Sequence, residues 1–213
     1  MPTFTNLRGS TVPLAREVEY WQGVSAKCVS AEGQILFDNV WKRPEQLKRL
    51  LKYPWIKERV LEIGTGNAMI AGALQVAVQG HWKYTGTELA PHFRNAAKTM
   101  FQLNVLEADV LELPGSDYTR IIALDSLEHV RPEHRGAGYA KMAEVAARDA
   151  LLFLHYSNSV SCHDSEFDHP FGLADLMELE KVAFCMLTYE RYPCFNHRAQ
   201  EMMDYVFVVM QKC

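Results

Sequence analysis

Val60-Leu61-Glu62-Ile63-Gly64-Thr65-Gly66-Asn67-Ala68, followed by the apolar run Met69 to Val78, decides the fold of this 213-residue chain. It reads as a strand, a glycine turn and a helix. Val60, Leu61 and Ile63 suit a buried strand, and Gly64 and Gly66 let the backbone turn sharply and pass close to a ligand with no Cβ in the way. The helix that follows begins with unsatisfied N–H groups facing the same space. A crevice of this kind binds a nucleoside-containing cofactor.

A dinucleotide fingerprint asks for a third glycine three residues after the second, and that position here is Met69. Glu62 is more telling. A carboxylate two residues before the first glycine, at the carboxyl end of a buried strand, repels a pyrophosphate and welcomes a cationic ligand. On Glu62, Gly64 and Gly66, with Ala68 where a third glycine usually stands, the chain resembles the class I S-adenosylmethionine-dependent methyltransferases. The first motif of that family is E/D-x-G-x-G-x-G. The resemblance implies S-adenosylmethionine as cofactor, with Glu62, Gly64, Thr65 and Gly66 around its sulfonium and ammonium end.

Outward from this segment, strand and helix patterns alternate. Trp82 to Glu88 reads as a second strand, with Pro91 opening a helix through Thr99, and Leu103 to Ala108 as a weaker third strand. Arg120 to Asp125 is a strongly apolar fourth, followed by a helix from about Gly138 to Arg148 and a fifth strand from Ala150 to His155. This alternation predicts an α/β domain, a doubly wound, mostly parallel sheet with helices on both faces. Ala183 to Arg191 and Tyr205 to Met210 are strand-like runs joined by a loop, so they should pair antiparallel. In the family, a terminal antiparallel strand completes a seven-stranded sheet, and the resemblance covers roughly residues 57–213. Residues 1–56 form a helical N-terminal extension, with amphipathic stretches at Leu14 to Ser25 and Pro44 to Leu51. Tyr20, Trp21 and Trp41 either line a substrate lid or pin these helices to the body.

In open α/β sheets ligands sit beyond the carboxyl ends of the strands. Glu88 ends the second strand 22 residues after Gly66, a spacing at which a carboxylate accepts from both ribose hydroxyls, with Leu89 beside it. By resemblance, Asp109 accepts from the adenine amino group while Val110 packs on the ring, and Asp125 lies near the methionine end of the cofactor or the substrate. The run Asp125-Ser126-Leu127-Glu128-His129-Val130 is similar to the fourth motif of small-molecule members, including quinone-biosynthesis O-methyltransferases. There His129 is the candidate general base, since imidazole titrates near neutral pH. Its alternative is to cap or pack the loop. His163 and His169, in the loop after the fifth strand, are candidates for substrate contact; their spacing with Asp164, Glu166 and Asp168 matches no tight metal motif, and no metal is assigned.

With 48% hydrophobic residues, the chain fits one sizeable α/β core. A net charge of −4 gives no global attraction to nucleic acid, which is a disfavoured partner. Cys28, Cys162, Cys185, Cys194 and Cys213 are odd in number and contain no C-x-x-C pair, which suits reduced thiols in a cytoplasmic protein. No run is apolar enough to span a membrane, and Met1 to Ser10 lacks a leader's hydrophobic core. Asp125-Ser126-Leu127-Glu128 is not the N-P-P-Y type segment of amino-methylating nucleic-acid enzymes, and Cys194 falls too late to be a cytosine nucleophile. The expectation is methyl transfer to an oxygen or nitrogen of a small-molecule acceptor. Its rivals are a protein- or RNA-directed methyltransferase and a non-catalytic scaffold that keeps the cofactor fold. Nothing in the chain specifies an oligomeric state.

Overall fold

The pleat of β3, Arg59–Ile63, divides the protein into two packed layers. Leu61 and Ile63 join Ile121 and Ala123 of β6, Tyr118–Leu124, and Leu152 and Leu154 of β7, Ala146–Ser157, in one apolar cluster. That cluster is closed by Tyr139 and Met142 of α5, Pro132–Val145, and by Leu176 and Leu179 of α6, Leu173–Lys181. Val60 points the other way. With Ile122, Leu124 and Phe153 it packs beneath Leu50 of α2, Arg43–Leu50, and Ile70 and Leu74 of α3, Met69–Ala77. Glu62 shares Val60's face, so its carboxylate looks toward the α2 and α3 side. The computed structural model that carries these contacts describes residues 3–5, 11–28, 42–158, 169–196 and 201–213.

Besides these elements the chain forms β1, Thr3–Thr5, and β2, Thr11–Pro13, paired antiparallel, then α1, Leu14–Cys28. Next to β3 lies β4, Lys83–Thr87; α4, Pro91–Phe101, leads to the short β5, Val105–Leu106. The last strands are β8, Phe184–Asn196, and β9, Glu201–Lys212. The seven-stranded sheet has the order β5-β4-β3-β6-β7-β9-β8. Its first five strands are parallel, and β9 inserts antiparallel between β7 and β8. The expected doubly wound fold is present, and the order reverses between β3 and β6. Their carboxyl ends form the crevice where ligands bind in open sheets.

Several boundaries differ from the sequence reading. α5 starts at Pro132, six residues before Gly138, because proline at the first helical turn needs no N–H partner. It also ends earlier, since β7 begins at Ala146 and bends at Asp149, whose φ is +61°. α6 is an element the sequence reading lacks; Asp175 starts it by accepting from the Gly172 N–H at 3.0 Å. Cys185 and Cys213 form a disulfide. That corrects the expectation of uniformly reduced thiols and removes the cysteine argument for a cytoplasmic location. Among the described residues no helix is long and apolar enough to cross a membrane.

Candidate active site

The turn after β3 is built for close approach. Gly64 and Gly66 have φ of +66° and +56°, and a Cβ on Gly64 would lie 2.6 Å from Ser126 Cβ in the loop after β6. Ala68 follows in the same left-handed region at +61° and opens α3, so the alanine at the third-glycine position carries backbone strain that a glycine would not. Thr65 ties the turn to the end of β4, its N–H donating to Thr87 O at 3.0 Å.

Two carboxylates brace this turn. Glu88 accepts from Gly66 N–H at 2.9 Å with one oxygen and from Ala90 N–H at 2.8 Å with the other. Burial raises its pKa, against the lowering by these backbone bonds. Glu62 is 4% exposed and accepts from Tyr84 O–H at 2.5 Å. Burial pushes it to about 7, with Tyr84 and Arg43 pulling down and Glu88 pushing up. A half-protonated carboxylate at neutral pH is primed for a cation, which would restore its charge.

Across the crevice stands a second, wholly side-chain construction. Asp125 closes β6 with a φ of +51°, and its N–H donates to His155 O of β7 at 2.8 Å. Its Oδ1 lies 2.7 Å from His155 Nδ1; its Oδ2 accepts from Gln46 Nε2 at 2.7 Å and pairs with Lys42 Nζ at 2.8 Å. His155 Nε2 lies 2.7 Å from the Tyr192 hydroxyl. All three groups are satisfied when the proton sits on Nδ1, shared with Asp125, and Tyr192 donates to Nε2. Gln46 Nε2 then abuts Nδ1 at 2.9 Å while donating to Asp125. Arg49 caps the chain, its guanidinium 3.5 Å above the Tyr192 ring and bonded to Glu45 and Glu190. Burial would raise the Asp125 pKa, but His155, Lys42 and Arg43 hold it well below the ordinary value. Burial pushes His155 down, with Asp125 opposing.

Between the two constructions lies a cavity of about 170 Å3. Its wall includes Glu62, Gly64, Thr65, Gly66 and Asp125 from the sequence-selected set. It also includes Arg43 at the start of α2, Phe93 of α4, and Val24 and Cys28 of α1, none of which the sequence reading selected. The strand-end rule that selects Glu88 and Asp125 selects His155 too, a polar residue closing the run Leu151-Leu152-Phe153-Leu154. Gln46, Arg49 and Tyr84 carried no such signal, because their burial depends on packing between elements.

The remaining candidates are more dispersed. Leu89 is 53% exposed, and its carbonyl accepts from Arg94. Asp109 is exposed and accepts from Leu111 N–H at 2.7 Å, while the Val110 methyls face Gly138 on α5, where a Cβ would lie 2.9 Å away. His129 is half-buried in a single 3-10 turn, Leu127–His129. His169 is buried, and its backbone N–H donates to Glu128 O at 2.8 Å. Tyr20 is half-buried on α1; the Trp21 side chain, Trp41 and His163 lie outside the described residues. Cys194 is partly buried at the edge of the α2-side core, and burial raises its thiol pKa. Among the described residues no group of three or more His, Cys, Asp and Glu could hold a metal ion.

The family model for a methyltransferase domain matches residues 60–149, from the glycine turn through the loop after β6 and α5. Over these residues the chain is a methyltransferase domain, and its seven-stranded sheet with antiparallel last strands has the class I S-adenosylmethionine-dependent architecture. Its cofactor is accordingly S-adenosylmethionine, and it is an enzyme. No curated protein matches the sequence significantly. The fold is shared with the N-methyltransferase NodS from Bradyrhizobium japonicum WM9 in complex with S-adenosyl-L-homocysteine. The TM-score is 0.68 at 18% identity, covering 90% of this methyltransferase and 97% of NodS. It is shared also with magnesium protoporphyrin IX methyltransferase from Synechocystis PCC 6803 with bound cofactor, at TM-score 0.67 and 16% identity over 93% and 96% of the chains. A TehB-like methyltransferase from Corynebacterium glutamicum aligns at TM-score 0.61 and 16% identity over 94% and 100%.

Proposed function

We propose that this methyltransferase carries the sulfonium methyl group to an oxygen or nitrogen of a small molecule. The observation behind the reading is the cover on the site: Val24 and Cys28 of α1 stand in the wall of a cavity whose floor is the glycine turn. A cover this close favours an acceptor that is engulfed, whereas a protein or RNA segment needs an open face. The net charge of −4 likewise gives no pull toward a polyanion. Magnesium protoporphyrin IX, named for the similar Synechocystis enzyme, is a small molecule. In this reading residues 1–56 are the covering segment and residues 57–213 the cofactor domain, with Tyr20 on the acceptor side of the cover.

The residues present suit the cofactor's chemistry. Glu62 would meet its cationic end, Glu88 the ribose hydroxyls, and Gly64, Thr65, Gly66 and Leu89 would lend backbone; Asp109 and Val110 would serve the adenine and Asp125 the methionine end. Bound there, S-adenosylmethionine supplies an electrophilic methyl group. The chain's own residues orient the acceptor in line with it and exclude water, which accounts for most of the rate in such a displacement. In this proposal His129 takes the acceptor's proton and His169 is the candidate for acceptor contact.

The test follows label from methyl-labelled S-adenosylmethionine in a cell extract supplemented with the enzyme and then ultrafiltered. Label is expected in a filtrate compound that separates from S-adenosylmethionine on chromatography and is missing when the enzyme is left out. Label retained on protein or RNA would replace this reading with a macromolecular one.

A further inference from the structure

Glu62 and Glu88 both brace the glycine turn, but different kinds of donor hold them. Glu88 takes the main-chain N–H groups of Gly66 and Ala90. Among the described residues the hydrogen-bond donor to the Glu62 side chain is another side chain, the Tyr84 hydroxyl at 2.5 Å. The pair is not a direct cross-strand contact. In the register of β3 on β4, Glu62 stands opposite Gly86, while Tyr84 stands opposite Val60, two residues nearer the start of the strand. Residues 84 and 86 share a face of β4, so the Tyr84 ring leans about 6.6 Å along the strand, over Gly86, to reach Glu62. Gly86 leaves that lane open: a Cβ there would lie 2.7 Å from the Tyr84 hydroxyl and 2.5 Å from Thr65 Oγ1. The ring is fixed by Trp82, at 5.1 Å between centroids, and by the apolar cluster that includes Ala71 of α3 and Ala97 of α4.

A tyrosine and a glycine are thus committed to one carboxylate, and that carboxylate stands in the wall of the cavity. The phenol does two things there. It fixes which way the carboxylate points, and it favours the charged form of a group that burial drives toward the neutral one. We propose that Tyr84 is a positioning residue for the cofactor, its hydroxyl holding the Glu62 carboxylate in place as an anion for the cationic end of S-adenosylmethionine. The inference rests on the reading above that places Glu62 at that end.

The test is calorimetric titration of S-adenosylmethionine, from pH 6 to pH 9, into the wild type, Tyr84→Phe, Glu62→Gln and the double variant. The readout is the affinity ratio of wild type to variant, in which the cofactor's own ionisation cancels. Arg43 and Glu88, whose charges act on Glu62, and Asp125 and Cys28 of the same cavity wall are common to all four proteins. Losing a hydrogen bond to a charged group raises the proton affinity of Glu62 about tenfold, so Tyr84→Phe is expected to bind about tenfold more weakly at pH 6 and nearly as well as the wild type at pH 9. A loss from altered packing alone would be the same at every pH. Added to Glu62→Gln, Tyr84→Phe should change nothing further. A ratio independent of pH, or a Tyr84→Phe effect that persists in Glu62→Gln, overturns the assignment. If Tyr84→Phe does not fold, Gly86→Ala decides, because its methyl group crowds the hydroxyl off Glu62 and should reproduce the loss at pH 6. Unchanged affinity there overturns the assignment as well. Glu62→Gln binding as tightly as the wild type at pH 8 removes the cationic-end reading and Tyr84 with it, whereas a weakened Glu62→Gln beside an unaffected Tyr84→Phe removes only Tyr84.

Discussion

The two walls of the crevice are made differently. On the β3–β4 side the turn is backbone, with Gly64 and Gly66 in left-handed conformations and Glu88 bonded to main-chain N–H groups within the same βαβ unit. On the β6–β7 side the wall is side chain: Asp125, His155 and Tyr192 come from three strands, and Gln46, Lys42 and Arg49 reach in from α2 and its cap. The first wall needs only a short stretch of sequence to form. The second exists only when the N-terminal segment, the parallel strands and the terminal antiparallel strands have all assembled. It follows that damage to the first should be felt in cofactor binding and damage to the second in stability as well.

The sharpest way to break this contrast is Asp125→Ala. It strands Lys42, and His155 loses its Nδ1 partner inside the core, so a loss of about 3–5 kcal/mol in stability is expected by denaturant unfolding. A loss below about 1 kcal/mol would mean the network does not hold the walls together. Next is Glu88→Ala. If Glu88 holds the ribose hydroxyls as proposed, losing its carboxylate should weaken S-adenosylmethionine binding about a hundredfold or more by calorimetry, while the melting temperature moves far less than for Asp125→Ala. An equal drop in melting temperature would erase the distinction between the walls.

A third outcome is a pH dependence carried by Glu62. Its folded pKa of about 7 stands above the ordinary 4.5, so the cofactor-free native state holds the extra proton between those values. Stability therefore falls as pH rises from about 4.5 to about 7, by up to about 3 kcal/mol for this group, and Glu62→Gln should flatten that slope. A cationic ligand favours the carboxylate, so cofactor affinity should rise from pH 6 to pH 8, with proton release visible as a buffer-dependent enthalpy. Affinity independent of pH across that range would remove Glu62 from the cationic end. The smallest effect is expected for Ala68→Gly. Relief of left-handed strain of about 1 kcal/mol is offset by loss of a buried methyl worth about 0.8 kcal/mol, so thermal stability should change by under about 1 kcal/mol.

Legibility in the sequence followed the same divide. The strand, the glycine turn, Glu62 and Glu88 are readable because spacing along the chain sets their geometry. Asp125 was readable as a strand end, but what it is bonded to was not. Gln46 and Arg49 look like ordinary polar positions of an amphipathic helix until α2 lands on Tyr192 and Asp125. α5 begins at Pro132, ahead of the Gly138 start that the sequence pattern suggests; the tertiary reason for Gly138 is the Val110 side chain packed against it. α6 went unread for want of a capping hydroxyl, since its start depends on Asp175 reaching back to the Gly172 backbone.

By itself the sequence determined a doubly wound domain and the carboxylate-flanked turn of a sulfonium cofactor. Both depend on periodicity and on contacts between neighbours in the chain, where the backbone's own geometry is decisive. Only the tertiary structure decided which carboxylates are already engaged. That depends on which side chains meet across elements 79, 109 or 141 residues apart, as Gln46 meets Asp125 and His155 and as Arg49 meets Glu190. Burial then fixes the charge each group carries, because a charge removed from water persists only with partners that the folded chain brings to it.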